Sequence, residues 1–290
     1  MSVPHTVFII PYKDRLVEKK GLDLFFNKLR IDRKWTKDDM KIIYVHQEDP
    51  KRFNRGAMKN IGFLYMKNKY PFDYKNITFI FHDVDFHPIT TDLLNYSTKK
   101  GVVEHYYGYT FVLGGIFSIK GSDFEKIGGF PNFWGWGFED NVLYDRCKDE
   151  KHNITVDRSN FYKIGDKNIV YINENGDKGD GIKTVSNRDI AIFYNEEKET
   201  FNHIRNLKYN ENENDNMLNV IRFDTGRNYN EAEFETRNLT ETGGRVYLKK
   251  GYWRRSWKFN NIRNLNNTNK STKPAPERKP STNTRTWKLF

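Results

Sequence analysis

Short apolar segments alternate with segments of helical periodicity in the first 82 residues, and this alternation restricts the fold more than any other feature of the chain. Residues 6–11, 41–46 and 77–81 are apolar runs of the length typical of buried strands. The two segments between them repeat apolar residues at helical spacing, namely Leu22, Phe25, Phe26 and Leu29, then Ala57, Ile61, Leu64 and Tyr65. This order predicts a wound α/β sheet with a ligand crevice at the carboxyl ends of its strands.

Weaker signals follow the third strand. Residues 109–119 are again strand-like, interrupted by a glycine pair at 114–115. Ser122 and Glu125 have the spacing of a capping box, which predicts a short helix that the glycine pair at 128–129 ends. Residues 210–216 are rich in Asn and Glu, and we expect a surface loop there.

Charge divides the chain into two parts. Residues 240–290 contain thirteen Lys and Arg against two Glu, which equals the net charge of +11 for the whole chain. We therefore expect a catalytic domain over residues 1–240 and a basic, partly disordered tail over residues 241–290. The tail suits an anionic partner such as nucleic acid, an anionic membrane or an acidic polysaccharide, and a solubilising extension is the alternative.

Cys147 is the one cysteine, which excludes an intramolecular disulfide and fits a reducing compartment. The apolar run near the N-terminus is interrupted by Pro11 and by charge, and no basic leader precedes it. It therefore predicts neither a signal peptide nor a transmembrane segment. We expect a cytoplasmic location, in the host cytoplasm if the source is a virus.

Asp83 and Asp85 lie at the carboxyl end of the third apolar run, two residues apart, so on an extended backbone they point to the same side. Two converging carboxylates can hold one divalent cation against a diphosphate, and oxygen ligands favour Mn²⁺ or Mg²⁺. The alternative to a metal site is that Asp83 and Asp85 are two solvated acids at a strand end with no functional role. An apolar strand followed by Asp-x-Asp also resembles the haloacid dehalogenase phosphatases, in which the first Asp is a nucleophile.

Residues 130–146 combine aromatic rings, glycines and acids. Trp134 and Trp136 alternate with glycine, and Glu139 and Asp140 follow at a predicted helix start, where the helix dipole favours negative charge. Aromatic faces and carboxylates together bind sugars. This segment therefore predicts a sugar site, and a Trp-rich turn before an acidic helix start is the structural alternative.

Five motifs resemble those of the β-1,4-galactosyltransferase family, glycosyltransferase family 7, in their residues and in their order along the chain. They occupy residues 9–15, 53–57, 79–85, 113–115 and 129–140. The resemblance is clear over residues 5–160. It implies a GT-A type fold and inverting transfer of a hexose, Gal or GalNAc, from a UDP-sugar to a carbohydrate acceptor, with formation of a β linkage. The animal enzymes are membrane-anchored, whereas we expect this chain to be a soluble, disulfide-free version, from a virus or a protist with an AT-rich genome.

The resemblance also implies roles for single residues. On the acceptor side, Asp140 would be the general base, Glu139 would bind the acceptor sugar, and Trp136 would close over donor and acceptor, with Trp134 as a second sugar-binding ring. Asp85 would bind Mn²⁺. The residues that would contact the UDP-sugar are Pro11, Lys13, Arg15, Phe53, Arg55, Asp83, Val112 and Gly115. Cations suit the diphosphate and an aromatic face suits the base.

Four departures from the family pattern are visible. The histidine expected near residues 169–173 as the third metal ligand is missing, which leaves His87 or Asn173, with His152 and His203 as more distant candidates. Lys13 replaces an arginine, and Asn141 replaces a third acid. Val112 replaces a tyrosine that crowds the 2-substituent of the sugar, so we expect UDP-GalNAc to be accepted. An Asp-x-Asp phosphatase or phosphotransferase and a non-catalytic glycan- or polyanion-binding protein are the rival interpretations.

Overall fold

The computed structural model describes residues 2–36, 38–172, 200–226 and 229–231, and the backbone of strands at 182–183, 236–237, 245–246 and 287–288. Asn173 and most of the basic tail lie outside these residues, so the predictions made for them stay predictions. Among the described residues, no helix has the length and apolar character needed to cross a membrane.

A mixed sheet forms the centre of the fold. The strands in chain order are β1 (Thr6–Tyr12), β2 (Met40–Gln47), β3 (Thr78–His82), β4 (Phe86–Pro88), β5 (Val102–Gly108), β6 (Ile116–Lys120), β7 (Thr155–Asp157), β8 (Tyr162–Lys163), β9 (Ile169–Tyr171), β10 (Ile182–Lys183), β11 (Arg205–Asn212), β12 (Met217–Asp224), β13 (Thr236–Arg237), β14 (Arg245–Val246) and β15 (Trp287–Lys288). Within the described residues, nine of them make this sheet in the order β11-β12-β2-β1-β3-β6-β5-β7, with β8 also paired to β5. Strands β12, β2, β1 and β3 are parallel, whereas β6 runs antiparallel to both neighbours.

Helices cover both faces of the sheet. They are α1 (Leu16–Asp32), α2 (Arg55–Lys69), α3 (Gly121–Lys126) and α4 (Glu139–Lys148). Successive residues of a strand point to opposite faces. In β1, Phe8 and Ile10 accordingly pack with α1, while Val7 and Ile9 pack with α2. The wound α/β prediction is therefore confirmed, with an antiparallel strand inserted beside β3.

The sheet brings the ends of β1 and β3 together. Ile9 lies opposite Phe81 in the parallel register, so Pro11 and Asp83 each follow two residues beyond that pair. Strands β4 and β9 form a separate antiparallel pair after the aspartates, and the amide of Ile172 donates to the carbonyl of Asp85 (3.0 Å). The aspartate motif therefore sits at the carboxyl edge of the sheet, as predicted.

The strand expected over residues 109–119 begins later, at the start of β6. The glycine pair lies in the turn that joins β5 to β6. Gly115 has a φ of 75°, and a Cβ atom there would overlap the carbonyl oxygen of Tyr107. Only glycine fits this position, because the left-handed conformation and the close approach both exclude a side chain.

The predicted capping box is wrong. Lys120 is the N-cap of α3 without a side-chain hydrogen bond, and the amide of Ser122 instead donates to the carbonyl of Lys75 (3.1 Å). The glycine stop is confirmed, because Gly128 and Gly129 are left-handed and the Gly129 amide donates to the Phe124 carbonyl (3.2 Å).

The Asn- and Glu-rich segment 210–216 is only partly a loop. Strand β11 continues through Asn212, a turn follows, and β12 starts at Met217. Strand β12 joins the sheet beside β2 and buries Leu218 and Val220. The polar composition concealed this hairpin, because β11 is an edge strand with mostly solvent-facing side chains.

Candidate active site

Charged side chains from three elements meet at the carboxyl end of β3. Arg55, the first residue of α2, places Nη2 2.6 Å from Asp83 Oδ1 and Nη1 3.4 Å from Glu139 Oε1. Glu139 and Asp140 open α4. The structure thus brings together Arg55, Asp83, Glu139 and Asp140, which the sequence places on three different motifs.

The start of α2 is fixed by amide side chains. Asn54 caps the helix by accepting from the Ala57 amide (2.9 Å), and its own amide group donates to the carbonyl of Asn132 (2.9 Å). Further along the helix, Asn60 donates to the Phe130 carbonyl (2.8 Å) and accepts from the Phe130 amide (2.9 Å). Helix α2 therefore holds both Arg55 and the segment that leads to the tryptophans.

The glycine pair connects the aspartate motif after β3 with the start of α4. The amide of Asp83 donates to the carbonyl of Gly115 (3.3 Å), and the amide of Leu113 donates to the backbone carbonyl of Asp140 (3.1 Å). A Cβ atom on Gly114 would overlap Asp140 Oδ2, so only glycine lets this carboxylate approach. The turn between β5 and β6 thereby sets the distance between Asp83 and Asp140.

Lys59 belongs to the same site, and sequence reasoning missed it. Its side chain is 1% exposed, and its Nζ lies 3.1 Å from Asp140 Oδ1 and 3.8 Å from Asp83 Oδ1. Lys59 follows Arg55 by four residues on α2, the spacing that places two side chains on one helical face. That spacing was the available signal. We call Arg55, Lys59, Asp83, Asp85, Glu139 and Asp140 the charged cluster.

Burial and like charges shift the pKa values of the acids. Burial raises the pKa of Asp140 to about 6, assisted by Glu139 and opposed by Lys59 and Arg55. Burial also acts upward on the pKa of Asp83, but Arg55 and Lys59 outweigh it and hold that pKa below its usual value. Asp85 is exposed to solvent on one side. Desolvation by the chain packed around the rest of it, together with the charge of Asp83, raises its pKa to about 6.

The charge balance of the cluster fits one divalent cation. Four carboxylates face two cationic side chains, which leaves two negative charges when all are ionised. No described cation forms an ion pair with Asp85, and carboxylate oxygens are suitable ligands for Mn²⁺ or Mg²⁺. Asp85 and Asp83 are therefore the residues that would hold the ion. Among the described residues, no group of three His, Cys, Asp or Glu completes its coordination.

The structure does not bring the candidate histidines to this position. His87 stacks on Phe25 of α1 at 4.8 Å, and its Nδ1 donates to the Pro88 carbonyl (2.7 Å). His152 donates to the Arg146 carbonyl (2.7 Å), and His203 accepts from the Thr200 amide (3.1 Å). His87 was expected to lie on the same strand face as Asp83 and Asp85. This expectation fails because the chain turns at Val84 and Asp85, and the next strand, β4, pairs with β9.

The predicted nucleotide residues lie at the ends of β1 and β2. Lys13 donates to the carbonyls of Asp49 (2.6 Å) and Lys51 (3.1 Å), so it ties β1 to the loop before α2. Arg15 pairs with Glu18 (3.1 Å), and Phe53 is half-buried beside Asn54. The structure therefore places Lys13 against backbone carbonyls, with an open cleft between β1 and the β2–α2 loop beside it.

The two tryptophans have different surroundings. Trp134 is 3% exposed, its ring stacks on Phe223 of β12 (5.0 Å between centroids), and the Tyr229 ring meets it edge-on (5.2 Å). The prediction that Trp134 binds the acceptor is therefore corrected, because its ring is almost completely buried and packs on these two aromatic side chains. Trp136 is half-buried in the turn before α4, and it stays the candidate for sugar contact.

Val112 and Glu139 complete the predicted set. Val112 is buried in the turn before the glycine pair, and its carbonyl accepts from Arg158 (3.2 Å). Glu139 is 4% exposed, and its Oε1 receives no hydrogen bond from any described residue despite the ion pair with Arg55. A buried carboxylate oxygen with free acceptor capacity suits a ligand hydroxyl.

Comparison with known proteins gives the same family throughout. A sequence model described as the N-terminal region of glycosyl transferase group 7 matches residues 1–98, and one described as the N-terminal domain of galactosyltransferase matches residues 97–171. Xylosylprotein 4-β-galactosyltransferase of Caenorhabditis elegans is 30% identical over 170 residues, which cover 53% of this chain and 56% of that protein. The chain spans about half the length of the curated relatives it matches.

Two solved structures share the fold. The catalytic domain of Drosophila β1,4-galactosyltransferase 7 in complex with xylobiose has a TM-score of 0.59 and 21% identity, over 76% of this chain and 94% of that one. A mutant of that protein in complex with manganese, UDP-Gal and xylobiose has a TM-score of 0.57 and 22% identity, over the same shares. This likeness confirms the GT-A type fold. The two sequence models, which together match residues 1–171, show that the chain belongs to glycosyltransferase family 7, the family of the β-1,4-galactosyltransferases.

Proposed function

We propose that this chain is a metal-dependent, inverting glycosyltransferase that moves galactose or GalNAc from a UDP-sugar to a hydroxyl of a carbohydrate acceptor. The observation that carries the proposal is the charged cluster, in which Arg55 links the donor motif at Asp83 to the acceptor motif at Glu139. One site therefore combines a place for a diphosphate and a divalent cation with two acids suited to a sugar hydroxyl.

Asp140 is the general base of the proposed reaction. It is half-buried, and its pKa of about 6 suits a group that must be ionised near neutral pH and still accept a proton. Glu139 beside it orients the acceptor through Oε1, which pairs with Arg55 but accepts no hydrogen bond from a described residue. A single base on the face opposite the leaving group leads to inversion at the anomeric carbon and a β linkage.

Asp85 and Asp83 would hold Mn²⁺ or Mg²⁺ on the donor side. When bound there, the ion supplies positive charge against the departing diphosphate. The complex of the Drosophila mutant with manganese, UDP-Gal and xylobiose supports manganese as the metal and a UDP-sugar as the donor. The same complex and the C. elegans relative support an acceptor that ends in a sugar.

The test is a transfer assay with the purified full chain, Mn²⁺ and either UDP-Gal or UDP-GalNAc. Acceptors should include β-xylosides and β-linked GlcNAc, with release of UDP and formation of the glycoside both measured. We expect transfer that requires metal and gives a β product. Metal-independent phosphate release from UDP or from phosphoesters, without glycoside formation, would instead support the Asp-x-Asp phosphatase interpretation.

We also propose an anionic partner for the basic tail. The support is the charge of residues 240–290, which equals the entire net charge of +11. Binding of the full chain to heparin, to anionic vesicles and to RNA at several salt concentrations tests this proposal. Equal retention of the full chain and of a chain ending near residue 240 would contradict it.

A further inference from the structure

Lys59 is an ammonium group buried among carboxylates. It is 1% exposed, contacts Asp140 Oδ1 at 3.1 Å and Asp83 Oδ1 at 3.8 Å, and lies over the Phe130 ring at 4.6 Å from the centroid. Removing a lysine from water costs free energy unless opposite charges and hydrogen bonds compensate. Here both carboxylates belong to motifs of the proposed reaction, so the burial of Lys59 is tied to the site itself.

We propose that Lys59 is a positioning residue for glycosyl transfer, which holds the Asp140 carboxylate so that Oδ2 receives the proton of the acceptor hydroxyl. The inference rests on the proposed function and adds a residue to it. In the transfer step the acceptor oxygen forms a bond to the anomeric carbon. The bond from that carbon to the diphosphate breaks, its electron pair leaves with UDP, and the acceptor proton passes to Asp140.

The orientation of Asp140 follows from three contacts. Lys59 occupies Oδ1, the backbone carbonyl accepts from the Leu113 amide (3.1 Å), and Oδ2 lies in the space that a Cβ atom of Gly114 would fill. None of the described side chains donates a hydrogen bond to Oδ2. Oδ2 is thus the oxygen left for the acceptor, and a base held in one orientation needs no reorganisation when the acceptor arrives.

The two cations of α2 that belong to the charged cluster share one pattern. Arg55 contacts Asp83 and Glu139, and Lys59 contacts Asp83 and Asp140, so each joins the donor motif to one acceptor-side acid. Lys59 ends in a compact ammonium, which can approach both Asp83 and Asp140 where a planar guanidinium would need more room. Of these two cations, only Lys59 contacts Asp140, so its removal acts on the base directly.

A double-mutant cycle separates positioning from a general structural role. Lys59→Met keeps the length of the side chain and suits the neighbouring Phe130 ring. We expect Lys59→Met to lower kcat between about tenfold and a hundredfold, with the donor KM changed less than about twofold. In the Asp140→Asn background the same substitution should change the residual rate by less than about twofold. The reason is that Lys59 acts through the Asp140 carboxylate, which this background lacks.

Lys67→Met is the matched control. Lys67 lies two turns further along α2 and pairs with Glu125 (2.6 Å), away from the charged cluster. We expect this variant to keep the wild-type kcat. Binding of UDP in the presence of Mn²⁺, measured by calorimetry, should be the same for wild type, Lys59→Met and Lys67→Met within about threefold.

Each outcome decides the proposal. Equal fold losses from Lys59→Met in the wild-type and Asp140→Asn backgrounds would overturn the positioning role and leave the proposed function intact. If Lys59→Met does not fold, Lys59→Leu, which likewise cannot donate to Oδ1, takes its place in the cycle. Loss of cooperative unfolding in both variants would make Lys59 a structural residue. No transfer by the wild-type chain would overturn the proposed function and this inference together.

Discussion

Asp140 has its two carboxylate oxygens in different surroundings, one on Lys59 and the other against Gly114. We expect Asp140→Asn to lower transfer by at least about a hundredfold, because the amide cannot accept the acceptor proton. Calorimetry with UDP and Mn²⁺ should show unchanged donor binding. The matched control is Asp145→Asn on the same helix, whose carboxylate pairs with Lys148 (2.7 Å) at the surface. Near-normal turnover by Asp140→Asn would remove it from the mechanism.

Asp85 is the acid of the charged cluster that has no ion pair among the described residues. We expect Asp85→Ala to abolish the dependence of UDP binding on Mn²⁺, because a diphosphate is repelled by nearby carboxylates without a cation between them. The measurement is UDP affinity with Mn²⁺ and with EDTA, with the exposed Asp92→Ala as control. Wild-type affinity that is equal in the two conditions would contradict the assignment.

Val112 decides donor choice in our interpretation of the family pattern. Its side chain is much smaller than tyrosine, and we expect this difference to leave room for a 2-N-acetyl group. We expect UDP-GalNAc to compete at least equally with UDP-Gal, and Val112→Tyr to shift preference to galactose by about 1 to 3 kcal/mol. Competition kinetics with both donors measure this. A strong preference for galactose that is unchanged in Val112→Tyr would mean that Val112 does not line the sugar site.

At the scale of elements, the turn between β5 and β6 depends on a buried neutral histidine. His105 Nε2 donates to the carbonyls of Gly114 (2.9 Å) and Tyr107 (3.0 Å), and its Nδ1 accepts from Arg158 (3.0 Å). Burial, assisted by the charge of Arg158, lowers the pKa of His105 from 6.5 to about 3. The unfolded chain therefore binds the proton first as pH falls.

The consequence is a loss of stability in acid. The contribution of His105 is complete above pH 6.5 and is lost progressively as pH falls from 6.5 toward 3. We expect the free energy of unfolding to fall by about 1.4 kcal/mol more for wild type than for His105→Gln between pH 7.5 and pH 5.5. Urea denaturation at both pH values tests this. Parallel losses in the two proteins would show that His105 does not titrate as expected.

The elements that sequence predicted well are those whose signal is local. β1, α1, β2, α2 and β3 each carry their own periodicity, so they could be placed without knowledge of their partners. Strand β12 could not, because its position depends on pairing with β2, a contact that spans some 170 residues of sequence. Trp134 was misassigned for the same reason, since its ring partner Phe223 lies on β12.

The residues of the site divide in the same way, into those that have a local sequence signal and those that do not. Asp83, Glu139 and Asp140 were visible because their motifs have a recognisable local context at a strand end or a helix start. Lys59 was not, because a lysine on a helix is usually a solvent-facing residue. Its burial results from the direction in which α2 points its first two turns, toward the end of β3 and the start of α4.

For the whole molecule, charge and catalysis should be separable. The charged cluster draws on residues 55–140, and the excess positive charge is confined to residues 240–290. We expect a chain that ends near residue 260 to keep the kcat of the full chain while it elutes from heparin at lower salt. Loss of cooperative unfolding in the shorter chain would show instead that the removed segment supports the catalytic fold.

The shared contacts of Asp83 have a thermodynamic consequence. Arg55 and Lys59 divide their charge between a donor-side carboxylate and the acceptor-side pair. A ligand that adds positive charge beside Asp83 competes with both cations for that carboxylate, so we expect occupancy of one half of the charged cluster to change the electric field in the other. Linkage is reciprocal, and an acceptor that draws on those acids must alter the affinity for metal and nucleotide by the same factor.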